Sequence, residues 1–157
     1  MIASDAPAAA RNPSQEPLMN EARFTDYAAL LLRVSLGTMF VAHALLKYFV
    51  FTLPGTAQFF ASLGLPGALG YVTFAAELVG GLLLIAGVKV RAVSLALVPV
   101  LLGATWAHAG NGWVFSAPNG GWEYPAFWTV TLVVQALLGA GAFAMGPARP
   151  ALAPHRA

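Results

Sequence analysis

The chain has 157 residues and a formal net charge of +2; 59% of it is hydrophobic and only 9% is charged. An ordinary soluble domain is about 25% charged, so a soluble fold is excluded: most of this apolar surface must face lipid, and the protein is read as integral to a membrane. The small charge, with basic residues at the edges of apolar runs, argues against a nucleic-acid partner, and the absence of cysteine excludes disulfides, thiolate metal sites and thiol relays within the chain.

Residues 1–25 begin MIASDAPAAARNPSQEPLMN, a polar stretch rich in Ala and Pro. It lacks the basic-then-apolar pattern of a cleavable signal and reads as a disordered tail, as do residues 147–157. Four apolar runs lie between the tails, at residues 27–51, 68–87, 92–108 and 124–145. Each is close to the ~20 residues that cross a ~30 Å hydrocarbon core. None alternates strictly, which argues against a barrel. The predicted fold is therefore all-α, an integral membrane bundle of four transmembrane helices over residues 26–146. Pro99 in the third run predicts a kink.

Basic residues set the orientation. Arg11 and Arg23 precede the first run, Lys89 and Arg91 fill the turn between the second and third, and Arg149 and Arg156 follow the fourth. All fall on one side of a four-span protein, so the positive-inside rule predicts that both termini are cytoplasmic. The opposite side carries two longer loops. Residues 52–67 are framed by Pro-Gly pairs around a short apolar segment, 58–63, that suits a half-buried interfacial helix. Residues 109–122 hold turn residues with Trp113 and Trp122, which act either as headgroup anchors or as a lid over a pocket.

Ionisable residues at membrane depth are costly and tend to face the bundle interior, paired with one another. Those inside or near the runs are Arg33, His43, Lys47, Glu77, His108 and Glu123. At about 100° per residue, His43 and Lys47 are neighbours one helical turn apart and Arg33 lies within about 80° of both, with Gly37 and Phe40 on the same stripe. That face of the first helix is expected to point inward. Counting ~1.5 Å per residue from the membrane edges puts Glu77 between Arg33 and His43 in height. At that height Glu77 could reach either Arg33 or His43: the expectations are a structural ion pair, taken as Arg33 with Glu77, ligand binding or proton relay at Glu77, or a lone protonated acid. Gly80 and Gly81, one turn on from Glu77, suit close helix packing, and Gly139 and Gly141 are expected to do the same in the fourth helix.

His108 ends the third run where Glu123 opens the fourth. Glu123 in a first turn favours the helix dipole, and Asn119 or Gly120 suits the cap before it. With His43 and Lys47, these residues gather toward the outer third of the bundle, below two aromatic loops, which is the arrangement of a pocket. Two histidines and two glutamates have the chemistry of metal ligands, but their spacings match no compact ligand motif, and no metal is predicted.

Three segments together resemble the DoxX family of small four-helix bacterial membrane proteins: Arg33-x-x-Leu36-Gly37-x-x-Phe40-x-x-His43-x-x-x-Lys47, Glu77-x-x-Gly80-Gly81 followed by a basic turn, and Asn119-Gly-Gly-Trp-Glu123. The resemblance covers roughly residues 26–146 and departs at Ala44, where a glycine is expected. It implies a multi-pass protein of the bacterial inner membrane, and some relatives are associated with quinone-linked oxidation of sulfur compounds or with oxidative-stress complexes. The implied function is a redox-linked accessory subunit that binds a quinone. His43, Lys47, Glu77, His108 and Glu123 would bind the ligand or relay protons, and Phe40, Trp106 and Trp122 would flank its ring. A redox partner protein must then supply electrons, and a homo-oligomer is compatible with this reading. The alternatives are a non-enzymatic scaffold or assembly factor and a small proton or solute transporter.

Overall fold

The structure is a computed structural model and describes residues 16–146. It contains five α-helices: α1 (Glu16–Phe49), α2 (Leu53–Ser62), α3 (Ala68–Ala86), α4 (Val90–His108) and α5 (Glu123–Leu138), with a single 3-10 turn at Ala109–Asn111. The all-helical expectation holds for these residues. Both expected tails fall largely outside them, although α1 begins at Glu16, inside the stretch read as a tail. Three segments are long and apolar enough to cross a membrane: Asn20–Phe49, Ala68–Ala86 and Val90–Asn111. Helix α4 carries Pro99 within its length.

The fourth run becomes a shorter helix than its apolar length suggests. At 16 residues, α5 is about 24 Å long. It stops at Leu138 because Gly139 and Gly141 turn the backbone with φ of +89° and +68°, a region that favours glycine. These glycines therefore do not serve packing within the helix, as the sequence had suggested. They let the chain fold back, so that the Ala142 amide donates to the Asp26 carbonyl at 3.0 Å and the Met145 amide to the Ala86 carbonyl at 3.1 Å. A Cβ on Gly141 would sit 2.5 Å from that same Asp26 oxygen.

Helix α1 packs along α3 and α4 along α5, the two pairs close into a bundle through α3–α4 and α1–α5, and α2 lies against α3. Leu36, Phe40, Leu84, Val90, Leu97, Leu101, Trp128 and Leu132 form the core. The outward faces are apolar as well. Leu31, Val72, Leu95 and Leu137, one on each long helix, are more than half exposed, which suits a surface that meets lipid instead of water. One end of the bundle carries α2 and the α4–α5 loop, and is called the loop end below. The other carries the tight α3–α4 turn, where Gly87 and Lys89 both adopt left-handed conformations.

Glycine fixes the height of α1 against α3. A Cβ on Gly37 would lie 2.7 Å from the Gly81 carbonyl oxygen and 2.7 Å from Ile85 Cγ1, and one on Gly81 would lie 2.8 Å from the Gly37 oxygen. The two backbones therefore touch at this crossing, the small-residue device of membrane helices. Because the helices are antiparallel, Glu77, one turn beyond Gly81 toward the loop end, comes level with Val41 and His43. Arg33, one turn from Gly37 in the opposite direction, comes level with the end of α3.

Candidate functional site

That register decides which charges meet. Lys47 Nζ donates to both carboxylate oxygens of Glu77, at 2.9 and 2.8 Å, and the two side chains are 18% and 7% exposed. The ion pair expected between Arg33 and Glu77 is thus made by Lys47 instead. Depths counted from assumed membrane edges place α3 too near the turn end; the Gly37–Gly81 crossing lifts Glu77 beyond Arg33's reach and brings it under Lys47. His43 lies one turn from Lys47 on α1, toward the turn end.

Arg33 has a different task. It is 1% exposed, and its Nη1 donates to the carbonyls of Leu84 at 3.2 Å and Ile85 at 2.9 Å, while Nη2 donates to that of Ala142 at 3.0 Å. A cation thereby satisfies the terminal carbonyls of α3 and complements its dipole. The same guanidinium ties down the segment that follows α5.

At the loop end, two histidines line one cavity of about 300 Å³ together with Phe115, Gly120, Gly121, Tyr124 and Pro125. His43 Nδ1 lies 2.9 Å from the Met39 carbonyl oxygen, one turn back in α1. His108 Nδ1 lies 3.0 Å from the carbonyl oxygens of both Asn119 and Gly120. A carbonyl only accepts, so an Nδ1 that bonds one does so as the donor, and each Nε2 stands outside these bonds; at His108 the Asn111 side-chain nitrogen also lies 3.3 Å from Nδ1. The loop is built to present those carbonyls: Asn119 and Gly120 have φ of +68° and +76°, and Asn111 Nδ2 donates to the same two oxygens at 3.1 and 2.9 Å.

Glu123 secures the other side of this loop. Its Oε1 accepts from the Phe115 amide at 2.9 Å, while its own amide donates to the Trp113 carbonyl at 3.1 Å. It occupies the first turn of α5, but the N-cap is Trp122 with no side-chain cap, so neither Asn119 nor Gly120 plays the capping part. Glu123 lines a second, larger cavity of about 530 Å³ that shares Phe115 and Tyr124 with the first.

The aromatic surroundings differ from expectation. Trp106 is 57% exposed on the outer face of α4, and Trp122 packs edge-on against Trp113 with ring centres 4.5 Å apart; neither lines either of these two cavities. The rings beside His43 come from α5: Tyr124 stacks at 6.3 Å, and Trp128 lies at 4.9 Å from His43 and 4.6 Å from Phe40. The signal for these two was present as an i, i+4 pair continuing the buried face through Leu132. Phe40 is fully buried behind Trp128 and supports the wall without lining it. The indole nitrogen of Trp128 is buried and has no hydrogen-bond partner among the described residues.

The sequence-predicted residues thus separate into three groups. His43 and His108 share a cavity, Lys47 and Glu77 pair between α1 and α3, and Glu123 anchors the α4–α5 loop. Among the described residues, no three of His, Asp and Glu approach closely enough to share a metal ion.

Comparison with known proteins agrees with the family that the motifs suggest. The DoxX family model matches residues 28–110, which carry His43, Lys47, Glu77 and His108. A protein of Bacillus subtilis (strain 168) named "Putative oxidoreductase CatD" is 42% identical over 79 residues, a match that spans 50% of this chain and 58% of that relative's length. No solved structure matches significantly. With more than half its length matched by the family model, the chain belongs to the DoxX family.

Proposed function

We propose that this protein spans the bacterial inner membrane four times with both termini in the cytoplasm, and serves as a redox-linked subunit that binds a quinone at the loop end. Helix α5 supplies the fourth span, supported by its outward apolar residues Phe127, Val130 and Leu137. Arg23, Lys89 and Arg91 lie at the turn end, and residues 48–67 and 109–122 contain no Lys or Arg, which favours the turn end as cytoplasmic.

The observation that carries this reading is the pair of histidines in one cavity, each with Nδ1 committed to a backbone carbonyl. Its volume of about 300 Å³ falls at the lower end of the range for small-molecule pockets. A bound quinone supplies two-electron, two-proton chemistry between carbonyl and hydroxyl oxygens. An imidazole with a free Nε2 accepts from a hydroxyl when neutral and donates to a carbonyl when protonated. His43 and His108 therefore suit both redox forms and can hold the proton exchanged between them. Tyr124 and Phe115 line the cavity with aromatic rings, and Trp128 packs against His43 behind them. Lys47 and Glu77 hold α1 against α3, one turn of α1 beyond His43. Electrons come from a partner protein, since the chain has no cysteine, haem motif or dinucleotide fingerprint. The oxidoreductase name of the Bacillus relative favours the redox reading.

Titration of the purified protein with a benzoquinone in mild detergent tests this. His43→Ala is expected to weaken binding at least tenfold, a loss of about 1.4 kcal/mol or more, with the melting temperature little changed. Unaltered affinity in the variant, or no binding by the wild type, would remove the quinone site. A non-enzymatic scaffold is the second reading, favoured by the way Arg33, Lys47 and Glu77 all find partners within the chain; it is the one that would remain.

A further inference from the structure

We infer that the ligand of the histidine cavity carries a long apolar tail and enters sideways from the bilayer, with that tail lying in the groove along α5. This rests on the quinone-site reading above and adds the class of ligand and its route. The groove is the larger cavity, about 530 Å³, and it adjoins the histidine cavity because Phe115 and Tyr124 line both. Tyr124 is the partition. One side of its ring stacks over His43, yet the residue is 43% exposed and also lines the groove. The partition between the two spaces is thus the thickness of aromatic side chains, with no helix between them.

The chemistry of the groove changes along its length. Its loop-end part holds Glu123, with one carboxylate oxygen already taken by the Phe115 amide. From there it runs over Ala126, Phe127 and Val130, a single stripe on α5 about 10 Å long from Glu123 to Val130. Phe127 and Val130 are 69% and 58% exposed on a surface that offers no polar partner. A polar solute would lose its hydrogen bonds there without compensation, whereas a hydrocarbon chain would not. Inner cavity and outer groove together have the shape of a polar ring joined to an apolar tail. A wholly apolar lipid chain would leave the two histidines unused, and a tail-less ligand would leave the groove unused.

The test compares two probes that share one ring, a dimethoxy-methyl-benzoquinone without a tail and the same ring with a ten-carbon chain, on the full-length wild type and on Val130→Trp. Val130 faces outward, so the larger side chain fills the groove without entering the core. The expected result is at least a tenfold loss of affinity for the tailed probe in Val130→Trp, with the tail-less probe within twofold of wild type; the ratio cancels any partitioning into detergent. Equal effects on both probes, or no effect on either, would overturn the inference, the latter being the outcome if the groove only covers a phospholipid chain. Binding of the tail-less probe that still depends on His43, without discrimination by tail, would overturn the groove assignment alone. No binding of either probe by the wild type would overturn the quinone site itself and this inference with it.

Discussion

Glu77→Ala is expected to destabilise the protein by about 3–5 kcal/mol, the usual loss when one partner of a buried ion pair is removed. The Lys47 side chain is 18% exposed and directs its ammonium at both oxygens of Glu77. Without the carboxylate that charge has no counterion in the interface of α1 and α3. Replacing both partners, as in Lys47→Met with Glu77→Leu, removes the charges together and should recover most of the loss. Unfolding followed in the same detergent for the two singles and the double provides the check. Simple addition of the single losses would show that the two groups do not depend on one another. Arg33→Leu should show no such coupling with Glu77, since its partners are the carbonyls of Leu84, Ile85 and Ala142.

Gly81→Leu has the second large expected effect, about 3 kcal/mol, at the upper end of the range for overpacking. The nearest atom to an added Cβ is the Gly37 backbone oxygen, which cannot swing aside as a side chain tip can, and Val41 and Phe40 close the remaining space. The α1–α3 crossing would have to open or slide. Sliding would also displace Glu77 from Lys47, so the damage should reach the ion pair. Gly103→Leu is the matched control, because nothing lies within 4 Å of a Cβ there; it should stay within about 0.5 kcal/mol of wild type. Similar melting temperatures for the Gly81 and Gly103 variants would contradict the close crossing.

The helices were legible because apolar runs of membrane length announce themselves, and the inward stripe of Arg33, Gly37, Phe40, His43 and Lys47 followed from helical geometry alone. The pairing of charges was not legible. Counting residues from an assumed membrane edge gives each helix its own origin, while the true register is set where Gly37 meets Gly81, and that register gives Glu77 to Lys47 instead of Arg33. The end of α5 was hidden for a related reason: Gly139 and Gly141 sit within apolar sequence, so hydropathy continues where the backbone turns. Trp106 and Trp122 were favoured as pocket rings because they stand near the loop. Tyr124 and Trp128 reach His43 because they lie one turn apart on the side of α5 that meets α1. The role of Glu123 was half visible: its place in the first turn could be read from the sequence, and its bond to the Phe115 amide could not.

Extraction of the protein in mild detergent, followed by mass spectrometry of what remains bound, tests the histidine site most directly. The prediction is about one tailed quinone per chain in the wild type and a several-fold lower occupancy in His43→Ala at equal yield of folded protein. Wild-type preparations free of quinone, or the same amount retained by both proteins, would contradict it.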